Sequence, residues 1–572
     1  MQLAAQNKLW RLKENDPRQV QSLCREFDLP PWVGQVLCAR GLSDPAELRA
    51  FLSPSLGDLP LPDGFKGLEQ ALEVLVPAIQ AGKTIGIAGD YDADGVTATA
   101  LLVEFLRRVG APAVWAIPHR LREGYGFSPA VARRLHQAGA QVVITVDCGI
   151  SDHAGVAEAR ALGMPVVVTD HHQIPPGDPV PAAALLNPQQ EGCSLPGVLA
   201  GAGVAFYLAA GLRAELRRRG HFRDRAEPNL RDCLDLVALG TLADVVPLVG
   251  VNRILVSQGL KVLNALRRPG LRALAQVASQ RPPLDSRSLG FALAPRINAA
   301  GRLDSAEPAV ELLLSRQLPL AFKLARGLDA SNLRRKEIEQ TVFSQALEEL
   351  ESSPELSEAP CLVLHRQGWH RGVLGIVASR LMELTGRPVM LFAVENGTAS
   401  GSGRAPQGYH LQKALAAVSH LLEGFGGHAR AAAASLPTAN LPRLTEELTR
   451  LSREQAPAGE PELELEAVVE PEHLGPAATT WLERLAPFGA GNPEPRVLMR
   501  GAVVSRAQVL KGAHLKLLLG DNGSRLEAIG FNRAHLRPQP GQRVDLAGRL
   551  RVSSFRGRHL ELEVDDLRPA EG

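Results

Sequence analysis

Short apolar runs alternate with stretches of helical period from residue 68 to about residue 187. Strands that alternate with helices at this spacing form βαβ units, so the pattern predicts a parallel sheet covered by helices. The predicted strands comprise residues 85–88, 113–117, 142–146 and 165–169. The predicted helices between them comprise residues 97–109, 128–137 and 151–162.

Beyond residue 187 the pattern is mostly helical, and one charged helix, far longer than average, is predicted over residues 318–350. A second α/β unit follows, with strands at 361–364 and 388–392 and a helix that is predicted to start near Gly427. From residue 497 onward, short strands separated by Gly, Asp and Asn turns predict a small β-barrel of the OB-fold type.

The expected fold class is α/β: a parallel-sheet domain joined by a long helix to a second α/β domain, with a C-terminal OB-like β-barrel. A chain of 572 residues is too long for one hydrophobic core, so several domains are expected. The predicted division is residues 1–66 (helical segment), 67–317 (first α/β domain), 318–351 (connecting helix), 352–455 (second α/β domain) and 462–572 (barrel).

Composition narrows the class of protein only a little. The hydrophobic content of 45% is ordinary, and without a long uncharged apolar run a membrane span is not expected. The N-terminus lacks the pattern of a signal peptide, which predicts a cytoplasmic protein. Six scattered cysteines without a C-x-x-C pair argue against a disulfide framework and against a structural zinc site. A net charge of +2 does not by itself indicate nucleic-acid binding.

Three carboxylates, Asp90, Asp92 and Asp94, follow the first predicted strand in the spacing D-x-D-x-D-G. Alternate residues of an extended segment point the same way, so their oxygens would converge at the carboxyl edge of the sheet, where α/β folds bind ligands. An EF-hand calcium loop opens with the same letters. Its twelfth position requires Glu, however, and here that position is Leu101. The motif therefore favours a catalytic metal site.

Further acidic or imidazole motifs follow other apolar segments: Asp147, then Asp170-His171-His172, then Asp244. One such acid alone could be a helix N-cap, but four sites in one domain indicate a shared centre. Carboxylates and imidazoles without thiolates suit Mn²⁺ or Mg²⁺. So many carboxylates would repel one another without cations, which favours two ions, the usual device for phosphate-ester hydrolysis.

In this order the motifs resemble the DHH phosphoesterase superfamily, named for the tripeptide at 170–172. Further stretches resemble its RecJ branch of single-stranded-DNA-specific 5′-3′ exonucleases, and together they cover nearly the whole chain. These stretches are residues 89–95, 118–120, 295–302, 368–373, 400–404 and 426–429. The resemblance implies that the first α/β unit is a DHH domain, that the second is DHHA1-like, and that the barrel binds nucleic acid.

The resemblance also implies two ions, Mn²⁺ or alternatively Mg²⁺. Its implied ligands are Asp92 and Asp147, with Asp90 nearby, for one ion, and Asp94, Asp147, His171 and Asp244 for the other. The implied catalytic residues are Asp94, Asp147, His171 and His172, of which His172 would contact the scissile phosphate or assist the leaving group. Pyrophosphatase-like members carry a His where this chain has Ala88, which makes Asp90 a candidate substitute ligand.

Candidate substrate-binding residues lie in Gly- or Ala-rich stretches. Arg120, Arg296 and Arg404 could reach a phosphate with a guanidinium group, although a solvated surface is the alternative for any single Arg. Gly427 is predicted to open an Ala-rich helix whose N–H groups bind phosphate, with a tight turn as the alternative. His428 is predicted to reach into the active cleft.

The resemblance implies a metal-dependent exonuclease that hydrolyses single-stranded DNA 5′ to 3′ to 5′-mononucleotides in DNA repair and recombination. Its implied partners are single-stranded DNA, a single-strand-binding protein and a RecQ-type helicase. The chain is expected to be a monomer and not to associate with membranes. One alternative is a small-substrate DHH phosphoesterase, an oligoribonuclease or a bisphosphonucleotide phosphatase, against which the additional barrel argues. Another is a non-catalytic single-strand-binding protein, against which the nearly complete set of acids argues.

The barrel is expected to hold single strands without contributing to bond cleavage. Its candidate contacts are a basic stripe of Lys511, Lys516, Arg551, Arg556 and Arg558, with Phe555 as a stacking platform. A solvated barrel surface is the alternative. Removing residues from about 462 onward is expected to weaken binding to long single strands and to leave the cleavage of short oligomers intact.

Overall fold

The fold is described from a computed structural model that covers residues 9–120, 123–195, 198–455, 462–470, 474–520, 526–553 and 559–570. None of the helices in these ranges combines the length and the apolar character that crossing a membrane requires.

The N-terminal segment consists of a short strand and three helices. They are β1 (Leu9–Leu12), α1 (Pro17–Phe27), α2 (Pro31–Ala39) and α3 (Pro45–Leu52). A proline occupies the first position of each helix, where its fixed φ is favourable and its missing N–H costs nothing. The side chains of Asp16 and Asp44 accept hydrogen bonds from backbone N–H groups and so cap α1 and α3.

The first α/β domain is a five-stranded parallel sheet with helices on both faces, in the strand order β3-β2-β4-β5-β6. Its elements are α4 (Leu68–Gln80), β2 (Ile85–Gly89), α5 (Ala93–Arg108), β3 (Ala113–Ala116), α6 (Pro129–Gln137), β4 (Val142–Val146), α7 (His153–Ala161), β5 (Val166–Thr169) and β6 (Ala184–Leu186). The chain changes direction across the sheet between β2 and β4. A switch point of this kind opens a crevice at the carboxyl ends of the two strands.

Helices complete this domain and lead out of it. They are α8 (Gly201–Arg218), α9 (Leu234–Ala243), α10 (Gly250–Asn264), α11 (Pro269–Val277), α12 (Ser286–Ser288), α13 (Ala294–Leu303), α14 (Glu307–Leu314), α15 (Leu318–Ser352) and α16 (Pro354–Glu358). The 35-residue helix α15 is the predicted long connection. It packs against α11, α13 and α14 near its start and against the second α/β domain near its end.

The second α/β domain has the strand order β10-β11-β9-β8-β7, in which β7 and β8 are parallel and the other pairs are antiparallel. Its elements are β7 (Leu362–Gln367), α17 (Arg371–Thr385), β8 (Val389–Glu395), β9 (Thr398–Arg404), α18 (Leu411–Ala417), β10 (Gly424–Gly427), β11 (Ala431–Pro437) and α19 (Leu441–Glu454).

The predicted helix that starts near Gly427 is wrong, because this stretch forms the hairpin of β10 and β11. The alanines of β11 pair with β9, and Ala432 and Ala434 point into the core. The helix propensity of alanine is a weak preference, which strand pairing and burial override here.

The C-terminal unit contains β12 (Glu462–Leu465), β13 (Ala467–Val469), α20 (Pro476–Leu485), β14 (Arg496–Leu510), β15 (His514–Leu519), β16 (Leu526–Gly530), β17 (Arg543–Ser553) and β18 (His559–Pro569). Five of its strands close into a barrel, because β14 pairs with both β15 and β17 while β16 and β18 complete the ring. Closure leaves these strands without an open edge. The predicted OB-like barrel is confirmed.

The N-terminal helices and the barrel form one structural unit. Leu23, Trp32 and Val36 share a hydrophobic core with Val497 and Leu546 of the barrel. Strand β1 also pairs in parallel with β12. A chain cut at residue 462 would therefore expose the core of its own N-terminal helices. That the barrel is not needed to cleave short oligomers stays a prediction.

A buried ion pair joins the two halves of this unit. The guanidinium of Arg40 binds the carboxylate of Glu466 in two places, with Nε–Oε1 at 2.7 Å and Nη2–Oε2 at 2.8 Å. The two side chains are only 9% and 8% exposed. By contrast, the ion pair between Arg49 and Glu26 is 67% and 40% exposed.

We expect Arg40→Ala to destabilise this unit by about 3–5 kcal/mol, because it leaves Glu466 buried without its partner. Arg49→Ala is the matched control and should cost about 0–1 kcal/mol, since its pair is exposed. The measurement is the urea unfolding midpoint followed by tryptophan fluorescence, to which Trp32 in the shared core contributes. Equal losses in the two variants would contradict the joining role of Arg40.

Candidate metal centre and basic pocket

The predicted metal ligands gather at the carboxyl edge of the parallel sheet. Asp90 follows β2 and Asp147 follows β4, on the two sides of the switch point. Asp147 has a φ of 61°, in the left-handed region, which few residues other than Gly adopt, although Asn and Asp do so more readily than most. A strained backbone that points a buried carboxylate at the centre of a site is typical of functional residues.

The carboxylates of Asp90, Asp92 and Asp94 converge, but not because they alternate along an extended segment as predicted. Helix α5 already begins at Ala93, so Asp94 lies in its first turn rather than in an extended segment. Asp92 is the N-cap of this helix, and its Oδ1 accepts hydrogen bonds from the N–H groups of Asp94 and Gly95 at 2.9 and 3.1 Å. Asp92 therefore does serve as a helix N-cap, and these two hydrogen bonds fix the orientation of its carboxylate.

Helices α8 and α9 approach these acids through glycines. Asp94 accepts hydrogen bonds from the N–H groups of Gly201 (2.5 Å) and Ala202 (2.9 Å) at the start of α8. A Cβ on Gly201 would lie 2.7 Å from the Cβ of Asp147, and a Cβ on Gly240 would lie 2.5 Å from Oδ1 of Asp94. Residues with side chains would therefore push both helices away from the centre.

His171 connects the acids of the two proposed metal sites. Its Nε2 lies 2.9 Å from Oδ1 of Asp147, 3.9 Å from Oδ2 of Asp94 and 3.7 Å from Oδ2 of Asp244. Asp244 stands at the end of helix α9. Within each of two groups, Asp90-Asp92-Asp147 and Asp94-His171-Asp244, the potential ligand atoms lie within 4.8 Å of one another.

The third residue of the tripeptide, His172, is held by Asp170 and Tyr125. Its Nδ1 lies 2.8 Å from Oδ1 of Asp170 and 3.2 Å from the hydroxyl oxygen of Tyr125. The Tyr125 hydroxyl donates its proton to the backbone oxygen of Asp147. Burial lowers the pKa of His172, but the hydrogen bond and charge of Asp170 outweigh it and raise the pKa to about 9. His172 is therefore a cation at neutral pH.

Burial and mutual repulsion govern the charges of the other groups. Burial first, and then neighbouring carboxylates, raise the pKa of Asp90, Asp94 and Asp147 well above the usual range. The same two causes raise the pKa of Asp244 to about 7. Burial, and then the charge of His172, lower the pKa of His171 to about 4, so its imidazole is neutral. Buried carboxylates beside a neutral imidazole need protons or cations to balance them.

A basic pocket of about 460 Å³ lies between the two α/β domains, beside the acid cluster. Among the described residues its lining contains four arginines and three serines but no acidic residue: Arg120, Arg302, Arg371, Arg404, Ser400, Ser402 and Ser435. The Cζ of Arg120 lies 4.8 Å from the ring centre of Tyr91, which stands between the acids Asp90 and Asp92. The pocket therefore adjoins the candidate metal centre.

The two domains both contribute to this pocket. Arg404 lies on β9 and donates to the backbone oxygen of Gly403 at 2.8 Å. Arg302 lies on α13 of the first domain and donates to the backbone oxygen of Gly372 at 3.1 Å. Burial, and then the charge of Arg120, lower the pKa of Arg302 to about 10, which leaves it charged at neutral pH.

Sequence reasoning identified Arg120 and Arg404 but missed Arg302 and Arg371. Arg302 is the last residue of the stretch 295–302, whose only signal in the sequence is its family resemblance. That stretch also packs α13 against the acids: the N–H of Ala93 donates to Oδ1 of Asn298 at 2.7 Å.

Other predicted substrate contacts are not brought to the pocket. Arg296 donates to Oδ1 of Asp329 at 2.8 Å and to the backbone oxygen of Ala292 at 2.7 Å, between α13 and α15. Gly427 ends strand β10, and the exposed His428 donates its N–H to the oxygen of Ala431. The prediction that Gly427 opens a phosphate-binding helix is therefore wrong, although Phe425 and Gly426 of the same strand do line the pocket.

The predicted basic stripe on the barrel is partly neutralised. Lys516 binds Glu527 at 2.8 Å, and Arg551 binds Glu563. Lys511 is exposed. Phe555, Arg556 and Arg558 lie outside the described residues.

Comparison with known proteins follows the same division of the chain. Residues 84–241 match the DHH family N-terminal domain, residues 358–454 match the DHHA1 domain, and residues 465–566 match the RecJ OB domain. The single-stranded-DNA-specific exonuclease RecJ of Escherichia coli (strain K12) is 42% identical over 586 residues, which cover 96% of this chain and all of that protein. The protein of the same name from Bacillus subtilis is 33% identical and covers 98% of this chain and 71% of its own length.

Solved structures agree with this comparison. RecJ from Thermus thermophilus in complex with Mn²⁺ has a TM-score of 0.83 at 33% identity and covers 99% of this chain and 80% of that chain. The complex with Mg²⁺ has a TM-score of 0.78 at 32% identity, with coverage of 99% and 79%. With relatives this similar over nearly its whole length, the chain belongs to the RecJ family.

Proposed function

We propose that this chain is a divalent-metal-dependent exonuclease that hydrolyses single-stranded DNA from the 5′ end to 5′-mononucleotides. The observation that carries the proposal is the convergence of five carboxylates and a neutral imidazole at one sheet edge, next to a pocket lined by four arginines. The relatives compared above are single-stranded-DNA-specific exonucleases by name, and the Thermus structures hold Mn²⁺ or Mg²⁺.

The residues fit two ions that share Asp147. Asp90, Asp92 and Asp147 would hold one ion. Asp94, His171 and Asp244 would hold the other together with Asp147, whose Oδ1 lies 2.9 Å from Nε2 of His171. Oδ1 of Asp90 is buried and has no hydrogen-bond partner among the described residues, as expected of an atom reserved for a cation. When bound, Mn²⁺ or Mg²⁺ would supply an activated water and neutralise charge on the phosphate. Ala88 offers no ligand, so Asp90 takes the place of the imidazole seen in pyrophosphatase-like members.

His172 would act on the substrate directly. Because its Nδ1 faces Asp170, its Nε2 is the nitrogen left to donate a proton toward a phosphate oxygen or the leaving oxygen. Asp170 keeps this imidazole charged and fixed in orientation. The side chain is 37% exposed, so it remains accessible to a bound strand.

The basic pocket would bind the 5′-terminal phosphate. Arg120, Arg302, Arg371 and Arg404 present four guanidinium groups without an acidic residue in the described lining, and guanidinium binds phosphate well. The pocket adjoins the acids through Tyr91, so a strand that starts there presents its first internal phosphate to the metal centre. The 5′-to-3′ polarity and the release of one nucleotide at a time rest on the resemblance to the RecJ family.

The barrel would bind the rest of the strand, as the match to the RecJ OB domain indicates. Partnership with a single-strand-binding protein and with a RecQ-type helicase remains a prediction from family resemblance. The monomeric state and the cytoplasmic location also remain predictions, and the second rests on the N-terminal sequence. A phosphoesterase for small substrates would not need the barrel, which argues against that alternative. A non-catalytic binding protein would not need the cluster of buried acids, which argues against the other.

We expect Asp147→Asn to lower kcat/KM on single-stranded DNA at least about a hundredfold, a barrier increase of about 3 kcal/mol, because both ions lose a shared ligand. Asn adopts the left-handed backbone that this position requires, so the fold should persist. Asp178→Asn, in an exposed loop, is the control and should retain full activity. Calorimetric titration with Mn²⁺ checks the cause. Unchanged Mn²⁺ affinity in Asp147→Asn would rule out the shared ligand.

The chelator-treated protein should lose stability as pH rises from about 5 to about 7. The pKa of Asp244 is about 7 in the folded chain and about 3.9 in an unfolded one, so the folded state binds more protons over this interval. The other raised carboxylates act in the same direction, while His171, with its pKa of about 4, opposes them below about pH 6.5.

Thermal unfolding at several pH values tests this dependence. Asp244→Asn should flatten the profile between about pH 5 and about pH 7, and saturating Mn²⁺ should stabilise the wild type more at the higher pH, since protons compete for the ligands. Parallel profiles for Asp244→Asn and wild type would contradict the assignment of this group.

Arg404→Ala should raise KM for 5′-phosphorylated oligonucleotides more than for 5′-hydroxyl ones, because it removes a guanidinium from the proposed terminal pocket. Arg296→Ala is the matched control: this arginine is paired with Asp329 outside the pocket, so its removal should affect both substrates equally. The measurement is steady-state kinetics on the two oligonucleotides. An equal effect of Arg404→Ala on the two ends would exclude the pocket from end recognition.

A further inference from the structure

A tyrosine in the loop that follows β3 reaches over the candidate metal centre. Tyr125 is followed by Gly126, which has a φ of 88° and no room for a side chain, since a Cβ there would lie 2.5 Å from Oδ2 of Asp152. The same oxygen accepts the N–H of Phe127 at 2.6 Å. Phe127 is 1% exposed and anchors the segment in the core. These contacts fix the backbone directly after Tyr125.

The hydroxyl of Tyr125 contacts two groups of the centre at once. It donates to the backbone oxygen of Asp147 at 2.9 Å, and its oxygen lies 3.2 Å from Nδ1 of His172. A phenolic hydroxyl has one proton to donate and lone pairs that accept, so both contacts can be hydrogen bonds. One oxygen atom therefore connects the backbone of Asp147 to the imidazole of His172.

The backbone of Asp147 depends on such contacts. Its N–H donates to the backbone oxygen of Thr169 at 3.1 Å, and its own oxygen accepts from Tyr125. A residue in a sparsely populated backbone conformation keeps it only where the surrounding structure imposes it. Because Asp147 is the proposed ligand of both ions, the direction of its carboxylate depends on how firmly this peptide is held.

The ring of Tyr125 is held separately from its hydroxyl. It packs edge to face against the rings of His172 and Tyr91, with centres 5.7 and 6.3 Å away. Tyr125 is nevertheless 45% exposed, so hydrophobic burial does not account for its position. Phenylalanine would keep both ring contacts and lose only the two contacts of the oxygen.

We propose that Tyr125 is a positioning residue whose hydroxyl holds the shared ligand Asp147 and the proton donor His172 in one arrangement. The inference rests on the proposed function and adds a residue that acts through those two groups rather than on the strand. Removing a group that orients a metal ligand typically costs about 10–100-fold in metal affinity or activity. Loss of this one hydroxyl therefore weakens metal binding and slows hydrolysis together.

The test is Tyr125→Phe in the full-length chain. Calorimetric titration of the chelator-treated protein with Mn²⁺ should give an affinity at least about tenfold below that of the wild type. Steady-state kinetics on single-stranded DNA at saturating Mn²⁺ should show kcat lowered at least about tenfold. KM should stay unchanged, because the hydroxyl acts on the reacting groups and not on strand binding.

Tyr409→Phe is the matched control. Tyr409 lies in the second α/β domain and is 4% exposed, and its hydroxyl accepts a hydrogen bond from Ser452 at 3.1 Å. This variant also loses a hydrogen-bonded hydroxyl, but away from the acids. Its Mn²⁺ affinity and kcat should equal those of the wild type. The Tm of each variant, measured without metal, shows how much stability the lost hydroxyl contributed.

A double-mutant cycle separates the two contacts of the hydroxyl. In a His172→Ala background the contact with the imidazole is already absent, so Tyr125→Phe should lower kcat by a smaller factor than in the wild type. The loss of Mn²⁺ affinity should persist in that background, because it passes through the backbone of Asp147.

Three outcomes would overturn the inference. They are an unchanged Mn²⁺ affinity in Tyr125→Phe, a kinetic loss confined to KM, and an equal loss of kcat with and without His172. A wild-type chain that neither binds Mn²⁺ nor cleaves single-stranded DNA would instead overturn the proposed function.

Discussion

The repulsion among buried carboxylates is the constraint on which the rest of the structure depends. Asp90, Asp94 and Asp147 lie in one crevice where burial and proximity raise the pKa of each. The backbone holds them there in two ways. The N–H groups at the start of α8 donate hydrogen bonds to Asp94, and Asp147 adopts a left-handed backbone conformation. We propose that the remaining imbalance gives the site its affinity for divalent cations, because the ions would supply the missing positive charge.

Two neighbouring histidines take different charge states, one neutral and one cationic, because their surroundings differ. His171 faces the acids but is buried, so its pKa falls to about 4 and its lone pair is available to a metal. His172 is paired with Asp170, and its pKa rises to about 9. One residue is thus suited to coordination and the next to proton donation, although the two side chains are chemically identical. The difference comes entirely from which groups surround each ring.

Positive charge is used in two distinct ways elsewhere in the molecule. In the basic pocket, guanidinium groups from two domains meet in a described lining that contains no acidic residue, and we propose that they bind a phosphate. In the unit formed by the N-terminal helices and the barrel, Arg40 is neutralised by Glu466 and serves to join two distant segments. Arg253 also joins distant segments, but through backbone oxygens and without a matching carboxylate among the described residues.

The sequence by itself determined the parallel sheet, the long helix, the barrel and the cluster of acids, because these follow from local periodicity and from motifs next to strand ends. Tertiary structure alone decided the rest. The alanines after Gly427 became a strand because β9 offered a pairing edge, and Arg302 reached the pocket while Arg296 paired with Asp329. The N-terminal helices joined a barrel that begins more than 400 residues later. Contacts between distant segments depend on packing and pairing, which local patterns do not encode.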